Sequence, residues 1–108
     1  MAYYMCEVSY SREAIKTLIK KPHDRSGVVR AAVEKLGGKL LGFWYAFGQY
    51  DAVLILDMPD HASAAALPLA AAAGGALSAS RTTVLLTPTE AVAAMKKAAR
   101  SGYRPPGK

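Results

Sequence analysis

The sequence predicts an α+β domain built on a four-stranded antiparallel sheet with helices on one face. Three observations carry that expectation. The chain of 108 residues fits a single domain with one modest core. Its apolar periodicity switches between strand-like and helix-like in the order strand, helix, helix, strand, strand, helix, strand, helix. The two central strand-like runs are separated by a connection too short for a crossover, so they pair antiparallel.

The first strand is Ala2 to Tyr10, rich in tyrosine and aliphatic residues and ended by Ser11. Ser11 is a good N-cap for a helix over Arg12 to Lys20 with Ala14, Ile15, Leu18 and Ile19 on one side, and Pro22 interrupts it. Val29, Val33 and Leu36 form the stripe of a second helix, for which Gly37-Gly38 supplies the left-handed stop. Strands over Lys39 to Phe47 and Asp51 to Met58 follow. Asp60 caps a third helix from Ala62 to about Ala73, in which Pro68 predicts a kink or a break because it lacks an amide hydrogen. Gly74-Gly75 ends it, and Ser78 to Leu86 makes the fourth strand. Thr87-Pro88-Thr89-Glu90 combines an N-cap threonine, a proline at the first helical position and a glutamate three residues after the cap. The last helix therefore runs to about Arg100, leaving a basic tail, residues 101–108, outside the domain of residues 1–100.

Without the extra helix near the start and the terminal one, the order is βαββαβ, the ferredoxin-like plan. A sheet covered on one side should alternate apolar and polar residues. The central hairpin does not. Strict alternation puts Leu41, Phe43, Tyr45 and Phe47 on one face and Leu40, Gly42, Trp44 and Ala46 on the other, while Val53 and Ile55 oppose Leu54 and Leu56. Both faces are apolar and the helices cover only one. A second copy of the chain, sheet against sheet, is the economical cover, giving a homodimer or higher homo-oligomer.

Composition narrows the function classes. No apolar run reaches the roughly 18 residues of a membrane span, so no membrane partner is expected, and the N-terminal stretch lacks the pattern of a signal peptide, so the cytoplasm is the expected location. Cys6 is the only cysteine and reads as a small buried hydrophobe. The net charge of +6 raises nucleic acid as a partner. The charges, however, are dispersed over helix faces among Glu13, Asp24 and Glu34, or run into the tail, without interleaved aromatics, so nucleic acid is not expected. There is no phosphate loop, nucleophile elbow or metalloprotease helix, and no cofactor is expected. Two widely separated histidines without a third ligand argue against a metal site.

The hairpin Gly48-Gln49-Tyr50-Asp51, preceded by GGKLLGFWYAF and followed by AVLILDMPD, resembles the GYD-domain family of small bacterial and archaeal proteins. The ordered pattern matches over roughly Tyr3 to Glu90, and Arg25 resembles an arginine often found ahead of the second helix. The resemblance implies a dimeric α/β barrel of ferredoxin-like subunits with no agreed activity. A similar Gly-x-Tyr-Asp hairpin occurs in the amino-acid-sensing domains of leucine-responsive regulators, but no helix-turn-helix precedes it here.

Turn chemistry explains Gly48, which can take positive φ, and Asp51, which can accept backbone amides. It leaves Tyr50 over. Tyr50 with Tyr45, Asp51 and Arg25 is the expected lining of a pocket for a small organic ligand between sheet and helices. In His23-Asp24-Arg25, His23 is a candidate proton-transfer residue, although a solvated loop histidine beside a capping aspartate explains the same residues, and His61 reads likewise. The expected function is small-molecule binding. The alternatives are a cofactor-free oxygenase, isomerase or lyase, which rests on fold analogy, and a structural or partner-binding module using the tail.

Overall fold

The computed structural model describes residues 2–107. Its elements are β1 (Ala2–Tyr10), α1 (Arg12–Lys20), α2 (Ser26–Lys35), β2 (Lys39–Tyr45), β3 (Ala52–Met58), α3 (His61–Ala73), β4 (Leu77–Leu85) and α4 (Pro88–Ala99). The strands form one sheet in the order β2-β3-β1-β4, antiparallel throughout. With α1 and α4 set aside this is the ferredoxin-like βαββαβ plan.

Local chemistry explains most of the boundaries. Ser11 Oγ accepts the Ala14 N–H and Asp60 Oδ1 accepts the Ser63 N–H. Thr87 and Glu90 close a reciprocal capping box at α4. Gly37 and Gly75 take φ of 85° and 79°, the left-handed conformation that ends α2 and α3. Pro68 neither stops nor breaks α3, contrary to expectation: the helix runs through it and buries its ring. The missing hydrogen bond to the Ala64 carbonyl is offset by that apolar contact in the core layer.

The core lies between one sheet face and the two helices α2 and α3. Tyr4, Cys6 and Val8 of β1, Ala52, Leu54, Leu56 and Met58 of β3, and Leu40 of β2 meet Val33 and Ala64 there. Gly38 lets β2 start close to its neighbour, since a Cβ there would strike the Met58 thioether and lie 2.7 Å from the Asp57 carbonyl oxygen.

Alternation in β2 differs from the expected pattern. Leu40 pairs with Leu56 and Gly42 with Ile55, so Leu41 is an extra residue, a β-bulge. The bulge reverses the pleat, which places Leu40 with Phe43 and Tyr45 toward the helices and Gly42 with Trp44 on the other face. The Trp44 ring then lies over Gly42, where any Cβ would meet its six-membered ring. The hairpin also departs from a tight turn. Residues 46–51 connect the strands, the Ala46 N–H donates to the Asp51 carbonyl at 2.8 Å, and Gly48 is not among the glycines with positive φ. A connection of this length spreads the reversal over several residues, so Gly48 need not be left-handed.

Across the sheet, Trp44, Val53, Ile55, Met5, Tyr3 and Leu85 face away from α2 and α3, and Trp44 is 58% exposed. α4 does not cover them: it buries none of its residues, and Val92 and Met95 on it are exposed. The radius of gyration of 17.4 Å and extents of 59 × 33 × 22 Å record an elongated molecule, against roughly 13 Å for a compact chain of this length.

Candidate functional site

The helix-facing residues of β1 run Tyr4, Cys6, Val8 and then Tyr10, where the strand leaves the covered core. Asp51 holds this end together. Its carboxylate accepts the Tyr10 N–H at 2.9 Å, its own N–H donates to the Val8 carbonyl at 2.8 Å, and its carbonyl receives Ala46. One residue thus ties the ends of β1, β2 and β3. The Ser9 hydroxyl adds a hydrogen bond to the Gln49 carbonyl at 3.1 Å.

α1 covers this end loosely. It is anchored at its start, where the Ser11 N–H donates to the Ala76 carbonyl at 2.8 Å and Ser11 Oγ donates to the Gly75 carbonyl at 2.6 Å. Beyond that anchor no residue of α1 is buried. Clefts of three kinds result, and Tyr10 lines each of them. An inner cleft of about 100 Å³ is walled mainly by apolar side chains of the sheet, α2 and α3, including Val8, Phe43, Leu54, Val29 and Leu67. An outer, more polar cleft of about 290 Å³ lies under α1, with Glu13, Thr17 and His23 in its walls. Arg25 and Ala76 join Tyr10 at the boundary of those two. A wide apolar groove of about 600 Å³ opens on the far side past Ile15, Ile19, Tyr45, Phe47 and Asp51.

Burial pushes the Tyr10 hydroxyl up to about 12, the adjacent Tyr45 hydroxyl and the Asp51 carboxylate act in the same direction, and the Arg25 guanidinium opposes them. Tyr10 is therefore protonated at neutral pH, and a hydrogen bond with the Tyr45 hydroxyl adds to holding the proton there. Arg25 occupies the N-cap position of α2, but its side chain takes no part in capping. Asp24 serves instead, accepting the Ser26 N–H at 2.8 Å, and this holds its carboxyl below the usual carboxylate range. Among the described residues Arg25 has no ion-pair partner. Burial also raises the Cys6 thiol above its ordinary value, against the lowering hydrogen bond with Thr82, which keeps it a neutral wall of the inner cleft.

Residues 4–95 match the family model of the GYD domain. The chain belongs to the GYD-domain family. Among solved structures the GYD domain is similar to MtbAldR, with 16% identity and a TM-score of 0.52 over 80% of this chain. It spans about half of that protein, 52% of its length. It is also similar to an uncharacterized NIPSNAP domain protein from Burkholderia xenovorans, with 15% identity and a TM-score of 0.46, over 81% of this chain and 94% of the other. At these identities the MtbAldR likeness shows the fold alone. No curated protein matches the chain.

Within this GYD domain the residues singled out by sequence divide. Arg25, Tyr45 and Asp51 line the clefts around Tyr10, although Asp51 faces the site chiefly as a clasp. Tyr50 lines none of these three clefts. His23 lines the outer cleft but is exposed, its Nδ1 2.7 Å from the Lys21 carbonyl oxygen. His61 lies at the opposite end of the sheet, where its Nδ1 is 2.6 Å from the buried Tyr4 hydroxyl and the two rings meet edge to face at 5.7 Å. That makes it a packing partner rather than a loop residue. Tyr10 itself was missed, though the alternation Tyr4, Cys6, Val8, Tyr10 marks it as the last helix-facing residue of β1. Among the described residues no three histidine, cysteine, aspartate or glutamate side chains are grouped as a metal site needs, and no helix is long and apolar enough to cross a membrane.

Proposed function

We propose that this GYD-domain protein is a homo-oligomeric binder of small organic molecules, with the ligand held between the sheet and α2 and α3 at Tyr10. The observation that carries the reading is the inner cleft: apolar walls, with Tyr10 and Arg25 as the polar groups at its mouth. Apolar walls with a few convergent polar groups are the usual make-up of a small-molecule pocket. Binding is favoured over catalysis by a tyrosine or histidine base because Tyr10 holds its proton and His23 is exposed beside a backbone carbonyl.

Self-association is supported by the uncovered sheet face and by α4. Trp44 and its neighbours form an apolar surface on one side, while Val92 and Met95 project from an arm that buries nothing in its own subunit. Asp57, on the same open face, has a buried carboxylate oxygen without a hydrogen-bond partner among the described residues. A second copy accounts for the uncovered sheet face and for the arm, covering sheet with sheet and receiving α4, whereas the Asp57 oxygen is shielded by its own chain. A cytoplasmic location and a loose tail from Ser101 onward belong to the same reading.

Native mass spectrometry of the purified full chain tests both parts at once. The expected spectrum is a dimer or larger assembly carrying extra mass that is released on denaturation. A monomer at dilute concentration overturns the assembly, and failure of any small molecule to be retained or to bind in a screen overturns the binding role.

A further inference from the structure

We infer that the cleft selects short aliphatic carboxylates, with the hydrocarbon tail in the inner cleft and the carboxylate between the Arg25 guanidinium and the Tyr10 hydroxyl. The inference rests on the reading of the cleft as a ligand site and adds the chemistry of the ligand. Among the described residues Arg25 is the only charged one lining the inner cleft. It sits where that cleft meets the more polar outer one, so a molecule spanning both places its polar end there.

The two groups at that boundary are both donors. A guanidinium offers a planar fork that matches a carboxylate, and a protonated phenol offers one more hydrogen. A cationic head meets repulsion from Arg25, and a neutral head leaves the guanidinium charge uncompensated where the ligand displaces its water. The nearby carboxylates do not occupy Arg25: Asp51 is engaged by the Tyr10 amide, Asp24 by the Ser26 amide, and Glu13 lies in the outer cleft without an ion pair among the described residues. Size limits the tail. An empty apolar cavity of roughly 150 Å³ accepts a benzene ring, so the inner cleft, at about 100 Å³, suits a short or branched alkyl group better than an aromatic one.

The test is isothermal titration of the full chain with isocaproate, its neutral amide isocaproamide, and acetate, at constant ionic strength. Isocaproate is expected to bind at least tenfold tighter than isocaproamide, because charge-assisted hydrogen bonds to a partly buried group are lost in the amide. Acetate is expected to bind on the order of 100-fold more weakly than isocaproate, since each buried CH₂ contributes about fourfold. Arg25→Gln should bring isocaproate down to the affinity of the amide while Arg25→Lys keeps part of the difference. If Arg25→Gln does not fold, Tyr10→Phe provides a second arm with a loss of about fivefold. Ala71→Leu, which fills the inner cleft, should weaken isocaproate and isocaproamide alike. Equal affinity for the two, or an Arg25→Gln protein that keeps the preference for carboxylate, overturns the head-group assignment and leaves the cleft as a binding site. Binding by neither compound overturns the ligand class, and the retained mass in the native spectrum then decides separately whether the cleft binds anything.

Discussion

The two ends of the sheet are made from the same strands and have opposite character. Where β1 begins and β3 ends, Tyr4, Leu56, Met58, Leu40, Val33 and Ala64 are each at most 5% exposed. Where β1 ends and β3 begins, Val8 and Ala52 are still buried, but Tyr10, Arg25 and Asp51 beyond them are half-buried, Tyr45 is 50% exposed and α1 buries nothing. The difference comes from the helices. α2 and α3 place Val33 and Ala64 into the core, whereas α1 is tied down through Ser11 alone among the backbone and side-chain bonds described for its start. A fold that keeps its packing at one end can leave the other open for a ligand without losing the sheet, because local stability follows local burial.

The strongest way to break this contrast is to truncate matched leucines at the two ends. Leu56→Ala at the closed end removes a fully buried side chain and should cost about 2–5 kcal/mol. Leu18→Ala under α1 should cost less than about 1 kcal/mol, since it removes a side chain from a wall that is already open. Urea unfolding with unchanged slope measures both, and equal losses would dismiss the two-ended picture. Asp51→Ala should fall between them at about 1–3 kcal/mol, because it strands the Tyr10 amide. Faster hydrogen exchange confined to Tyr10 and its neighbours is the signature that separates a lost clasp from general destabilisation.

Sequence carries local chemistry well and packing between distant elements poorly, for physical reasons. Helix caps at Ser11, Asp60 and Thr87 are local chemistry and are legible from a few residues. The apolar character of both hairpin faces is likewise visible in composition. The facing of β2 is not, because a single extra residue at Leu41 inverts every side chain after Leu40 and no local rule marks the site of a bulge. Pro68 misleads in a similar way, since its backbone chemistry argues for a break while tertiary packing holds the helix through it. Around the clefts, Arg25, Tyr45 and Asp51 stand out in the sequence close to turns, whereas Tyr10 reads as an ordinary strand tyrosine. Its importance arises from where α1 fails to cover β1, which is a property of packing across elements distant in sequence. Tyr50 is left over by turn chemistry and lines none of these three clefts.

The smallest effect is the most specific to the open end. The folded protein holds the Tyr10 proton more tightly than an unfolded chain, with the hydroxyl raised from 10.0 to about 12. A group raised in this way contributes stability that is intact below the unfolded value and is lost as pH climbs through the interval between the two. Stability should therefore fall between about pH 10 and pH 12 by more in the natural protein than in Tyr10→Phe. Other tyrosines and lysines titrate in the same window, so the difference between the two unfolding curves, not either curve alone, isolates Tyr10. Tyr45→Phe should shrink that difference, because Tyr45 is the largest contributor after burial itself. The effect is modest because the hydroxyl is at the mouth of the cleft and water screens part of it. If the natural and Tyr10→Phe proteins lose stability in parallel, the Tyr10 hydroxyl is fully hydrated, and the open end is wetter than its walls of Val8, Phe43 and Leu54 require.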